Sequence, residues 1–106
     1  AGRIGQLINQ VSLANDVGVS ATTINEWLSV LEASFIIFRL QPYHDNMGKR
    51  LIKTPKLYFV DTGLAAWLLG IETKVQMQRD PLRGNLFENL VILLTRQIRI
   101  SDIMRA

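Results

Sequence analysis

The sequence predicts an α+β fold: a winged helix-turn-helix of three helices plus a β-hairpin wing, followed by a short helix and an appended C-terminal helix. Three observations predict it. Leu13 to Leu28 carries two short helical patterns broken at Gly18. At Phe35 the pattern turns aromatic and β-branched, which favours strands. After Asp61 helical spacing returns.

The elements follow in order. Ile4, Leu7, Ile8 and Val11 recur at helical spacing and predict a first helix from about Arg3 to Gln10. Ser12 is placed to cap a second helix that turns Leu13, Ala14 and Val17 inward. Gly18 supplies the turn, because a residue without Cβ takes positive φ at no steric cost. Ser20 caps a third helix, about Ala21 to Ala33, with an inner face of Ile24, Leu28 and Leu31 flanked by Trp27 and Val30. Phe35 to Tyr43 reads as a strand, residues 44–50 as a polar turn, and Leu51 to Val60 as a second strand. Pro55 lacks an N–H for the ladder, so that strand lies at an edge or is broken there.

Asp61 or Thr62 caps a short helix with Leu64, Trp67 and Leu68 on its apolar side, and Gly70 closes it. Residues 71–83, mixed and mostly polar at their start, fit a linker or a further short helix. A last helix from about Asn85 to Ile98 presents Leu86, Phe87, Leu90, Val91, Leu94 and Ile98. The organisation expected is a winged-helix domain over 1–70, a linker over 71–83 and a helical tail over 84–106.

Composition narrows the function classes. Hydrophobic residues make up 48% of 106, enough for a core and too many for a disordered tail. No apolar run is long enough to span a bilayer and no signal-peptide pattern opens the chain, so the expectation is a cytoplasmic protein without a membrane partner. With no cysteine there is neither a disulfide framework nor a thiolate metal site. The net charge of +3 is unevenly spread. Residues 1–33 set Arg3 against Asp16, Glu26 and Glu32. Residues 34–60 set Arg39, Lys49, Arg50, Lys53 and Lys56 against Asp45 alone. Basic charge therefore gathers in the wing, not in the helix-turn-helix.

The order of three motifs resembles a known family. The helix-turn-helix, then Lys56-Leu57-Tyr58-Phe59-Val60-Asp61-Thr62-Gly63-Leu64, then Arg83-Gly84-Asn85-Leu86-Phe87-Glu88-Asn89-Leu90-Val91 resembles the C-terminal region, a domain of unknown function, of a prokaryotic AAA+-type P-loop ATPase family. The resemblance covers roughly residues 12 to 94. It implies an ATPase domain ahead of this region. It also implies that the winged helix leads into a restriction-endonuclease-like region whose first helix would be Gly84 to Val91. The acidic strand residues and lysine expected of that region do not follow Leu94, and no glycine-rich loop ending in Lys-Ser or Lys-Thr occurs.

A helix-turn-helix presents a helix to the DNA major groove. The candidate DNA-binding residues are Ser20, Thr22, Thr23 and Asn25 on the third helix and Arg39, Lys49, Arg50, Lys53 and Lys56 on the wing, with Glu26 beside the first set. The third helix has no basic residue and two acids, and phosphate contact dominates affinity, so any DNA binding should be weak and carried by the wing. The wing lysines equally fit a solvated hairpin guarded against edge pairing. An interaction module without DNA binding is the other reading, motivated by the apolar last helix.

Catalytic patterns are thin. Asp61 followed by Glu72-Thr73-Lys74 has the spacing of a metal-dependent nuclease core, but a helix between them places the acids off adjacent strands. Glu88 lacks a partner carboxylate. His44, the only histidine, sits in a polar turn with only Asp45 beside it, short of a metal-ligand set. Trp27 and Trp67 read as core. The expectation is a non-catalytic module with no metal or cofactor. Its partners would be double-stranded DNA, the ATPase domain of the parent chain, and a second copy bound through the C-terminal helix.

Overall fold

The computed structural model describes residues 1–41 and 54–105. Among these, five helices and one two-stranded antiparallel sheet make a small mixed α+β unit compatible with a winged-helix-like layout. The helices are α1 (Gln10–Val17), α2 (Ala21–Ala33), α3 (Thr62–Leu68), α4 (Lys74–Arg79) and α5 (Arg83–Arg105). The strands are β1 (Ile37–Leu40) and β2 (Lys56–Phe59).

The helix-turn-helix forms as its residues dictate. Gly18 takes φ +87° at the end of α1, and its N–H donates to Ala14 O. The Ser20 hydroxyl accepts from Thr23 N and caps α2. Ala14, Ile24 and Leu28 are buried, with Leu13 and Leu31 packed against them. Val17, expected inward, is half exposed. The cap of α1 is Asn9, not Ser12. Asn9 Oδ1 accepts from Ser12 N at 3.1 Å.

The first predicted helix does not form. Gly5 sits at φ +70°, and the chain then runs alongside β2, with Leu7 bridged to Lys56. Gly5 N donates to Leu57 O at 2.7 Å, Leu57 N to Gln6 O at 3.0 Å, and Ile8 N to Pro55 O at 2.9 Å. Ile4 and Ile8 are buried as expected. A spacing of four fits a helix turn and two strand periods alike, so periodicity alone chose wrongly. Pro55 is at the outer edge, offering only its carbonyl.

β1 and β2 pair in the register Ile37↔Phe59, Phe38↔Tyr58, Arg39↔Leu57, Leu40↔Lys56. Alternation splits the sheet into two faces. Ile37, Leu57 and Phe59 join the core with α1 and α2. Phe38 and Tyr58 stack on the other face with ring centroids 5.5 Å apart, and the Arg96 guanidinium of α5 lies 4.3 Å from the Phe38 ring centroid. Both strands are shorter than predicted. Phe35, at φ 59° and 80% exposed, belongs to the turn that leaves α2.

Asp61 caps α3, its Oδ1 accepting from Gly63 N and Leu64 N. The buried side of α3 is Ala65 with Leu64 partly covered, not the predicted Leu64-Trp67-Leu68 face. Small Ala65 lets the helix approach the core closely, and Trp67 is turned out. Both tryptophans, read as core, are exposed: Trp27 by 49% and Trp67 by 68%. Part of the segment read as a linker forms α4, opened by a capping box between Thr73 and Gln76.

α5 is longer than predicted and rotated. Leu86 and Asn89 face the core, whereas Phe87, Leu90, Val91 and Leu94 are 41–67% exposed. At about 100° per residue, the buried face lies roughly a third of a turn from the predicted apolar face. The side chain of Ile98 lies outside the described residues. No described helix is long and apolar enough to cross a membrane.

Candidate nucleic-acid interface

The helix-turn-helix residues proposed for the groove are largely engaged with one another. Ser20 Oγ, besides capping, donates to Thr23 Oγ1 at 2.9 Å. Asn25 Oδ1 accepts from Gln10 Nε2 at 3.0 Å, tying α2 to α1. Thr22 is exposed, and so are Glu26 and Ser29. This surface offers hydroxyls, an amide and a carboxylate but no cation.

The two described wing cations point to opposite faces of the sheet. Arg39 shares the face of Ile37 and Leu57 and reaches α2, where Nε donates to Glu32 Oε1 at 2.9 Å and Nη2 completes an ion pair. Lys56 shares the face of Tyr58 and reaches α5, where Nζ lies 3.2 Å from Glu88 Oε1. Arg3 likewise pairs with Asp16. Arg39 and Lys56 thus tie the hairpin to two helices and do not form one basic surface. Lys49, Arg50 and Lys53 lie outside the described residues, as do Tyr43, His44 and Asp45.

The motif Asn85-Leu86-Phe87-Glu88-Asn89 does something sequence reasoning missed. The outer edge of β2 exposes the polar groups of Pro55, Leu57 and Phe59. Residues 5–8 satisfy the first two. Asn89 satisfies the third: its Oδ1 accepts from Phe59 N at 2.7 Å, and its Nδ2 donates to Phe59 O at 2.9 Å and Thr62 Oγ1 at 2.8 Å. Asn89 is fully buried, the buried polar residue of the described core. Four residues earlier, Asn85 Nδ2 donates to Ile4 O at 2.7 Å and holds the strand-like N-terminal segment.

Glu88 lies between them. It receives the Lys56 ammonium, its charge acts on the Tyr58 phenol, and one carboxylate oxygen abuts Gly5. Burial and then the Glu88 charge raise the Tyr58 phenol above its ordinary pKa. A row at i, i+3 and i+4 thus clamps α5 to the sheet edge. The signal was a polar row, Asn85, Glu88 and Asn89, set in the otherwise apolar run from Asn85 to Leu94. Asp61 is used as the α3 cap, separate from Glu72 and Lys74, which belong to the start of α4. Among the described residues no group of three or more His, Cys, Asp or Glu is placed to hold a metal ion.

Two of the apolar surfaces among the described residues bear on interaction. One is the outer stripe of α5. The other is a groove of about 200 Å³ between α1 and α2.

Comparison with known proteins gives a family and relatives. The family described as Domain of unknown function (DUF8612) matches residues 1–75. Uncharacterized proteins of Mycobacterium bovis and Mycobacterium tuberculosis are each 36% identical over 88 residues, covering 83% of this chain and 20% of the relative. An uncharacterized protein of Haemophilus influenzae is 31% identical over 99 residues, covering 88% of this chain and 23% of its own length. The chain thus spans about a fifth of the curated relatives it matches. No solved structure matches it.

Proposed function

The chain belongs to the family described as Domain of unknown function (DUF8612), and from that premise we propose that it is a non-catalytic winged-helix module of a larger AAA+-type ATPase, joining two copies of its parent through α5. One observation carries the joining role. α5 turns its polar row inward, onto backbone groups, and its apolar row outward. A surface helix ordinarily does the reverse. Phe87, Leu90, Val91 and Leu94 follow helical i, i+3, i+4, i+7 spacing, so two such stripes can pack antiparallel about a two-fold axis. Full burial of one large aliphatic side chain is worth about 2 kcal/mol, and four half-exposed ones hold several kcal/mol for association. The ATPase parent rests on the motif order; the relatives, about five times as long as the shared segment, have room for such a domain.

Light scattering over a concentration series tests the joining role. The wild-type chain should be dimeric, and Leu90→Glu with Leu94→Glu should weaken the dimer by at least about 100-fold, or roughly 3 kcal/mol. A wild-type monomer at the highest concentration overturns it.

A second reading, weak contact with double-stranded DNA through the wing, is favoured by the concentration of basic residues between 34 and 60. Arg39 and Lys56 are committed to ion pairs, so this contact falls to Lys49, Arg50 and Lys53. It predicts saturable binding of a labelled duplex at low salt, weakened by salt and by alanine at those three positions. No binding at tens of micromolar protein removes this reading.

A further inference from the structure

A helix-turn-helix pair has two exposed flanks, and in this molecule one of them opens directly onto the core. The groove between α1 and α2 has Val17 on one wall, Trp27 and Leu31 on the other, and Leu28 and Phe59 at its floor. Leu28 and Phe59 are almost fully buried, whereas the rim residues Val17 and Trp27 are each about half exposed. This gradient, from buried floor to apolar rim, differs from isolated surface hydrophobes, which are ordinary. The residues read as a first helix do not fill the groove. Ile4 and Ile8 follow the edge of β2 instead, and α1 and α2 are left with only the sheet as a third layer.

We propose that this groove seats an amphipathic helix that lies N-terminal to Ala1 in the parent polypeptide. Two observations select that occupant over a separate partner. Ala1 itself lines the groove, so a segment joined to it is delivered at the groove with little loop to close. The mycobacterial relatives have four-fifths of their length outside the shared segment, ample for such a helix. The wall and floor are aliphatic and aromatic, and the nearby cation Arg3 is already paired with Asp16. The seated face is therefore apolar, with its charges turned to water. The helix completes the helical layer over the sheet and couples the module mechanically to whatever precedes it. The inference uses a different surface from the α5 stripe and stands apart from it.

The test compares the 106-residue chain with the natural polypeptide extended upstream by one helix and its connection, about 20 residues. Both carry Trp67→Phe, so that Trp27 alone emits. Seating the helix should shift Trp27 emission to the blue and lower its acrylamide quenching severalfold in the extended protein. Val17→Glu should restore the quenching. Equal quenching in the two proteins overturns the proposal. Concentration-dependent shielding in the shorter chain also overturns it, because a second copy then holds the groove. A cross-link readout covers the case in which the shorter chain folds poorly. Val17→Cys in the extended protein, paired with single cysteines along the upstream segment, should form disulfides at helical spacing. Their absence at every position likewise overturns the proposal.

Discussion

Single residues decide whether this sheet has an open edge. Asn89 reproduces the donor and acceptor of a neighbouring strand with one amide and adds a bond to Thr62. In Asn89→Ala the Phe59 N–H and C=O stay buried without partners, at about 1–3 kcal/mol per orphaned group. The expected loss is about 3 kcal/mol, read by urea denaturation. Gly5 answers a different constraint. It sits at φ +70°, and a Cβ there would lie 2.7 Å from Glu88 Oε2, a carboxylate already held by Lys56. Gly5→Ala should cost about 2 kcal/mol, through left-handed strain and displacement of that carboxylate. Tyr58 adds a pH dependence. Its folded pKa is raised, so the fold favours the neutral phenol. That contribution is complete below the ordinary tyrosine value, about 10, and is lost as pH rises through the folded value above it. Denaturation midpoints above pH 10 should therefore fall more steeply for the wild type than for Tyr58→Phe.

At the scale of elements, local chemistry was the legible part. Gly18, Ser20 and Asp61 act as turn and caps because each role depends on neighbours within a few residues. Ser20→Ala should accordingly cost about 1 kcal/mol by thermal denaturation, the usual worth of an N-cap. The reading lost ground where tertiary partners decide. Ile4 and Ile8 suit a helix or a strand equally, and the open edge of β2 chose the strand. Trp27 is turned away from the α2 face that buries Ile24 and Leu28, and Trp67 away from the α3 face on which Ala65 approaches the core. The face of α5 was assigned by hydrophobicity, but the sheet edge needed amides, and Asn85 and Asn89 turned inward to supply them. Of the proposed DNA contacts, no sequence rule foretold that Arg39 and Lys56 would be separated by the sheet, since strand register was unknown.

At the scale of the whole molecule, the described cations of the helix-turn-helix and hairpin are taken up internally, not gathered on one surface. The described cations of the helix-turn-helix and hairpin, Arg3, Arg39 and Lys56, each sit in an ion pair. Exposed apolar surface includes the outer stripe of α5 and the α1–α2 groove. The chain spans about a fifth of the mycobacterial relatives it matches. The most direct measurement is the mass of the chain by light scattering from low to high concentration. The account predicts a dimer that Leu90→Glu with Leu94→Glu converts to a folded monomer. A wild-type monomer throughout, or a dimer indifferent to those substitutions, would contradict it.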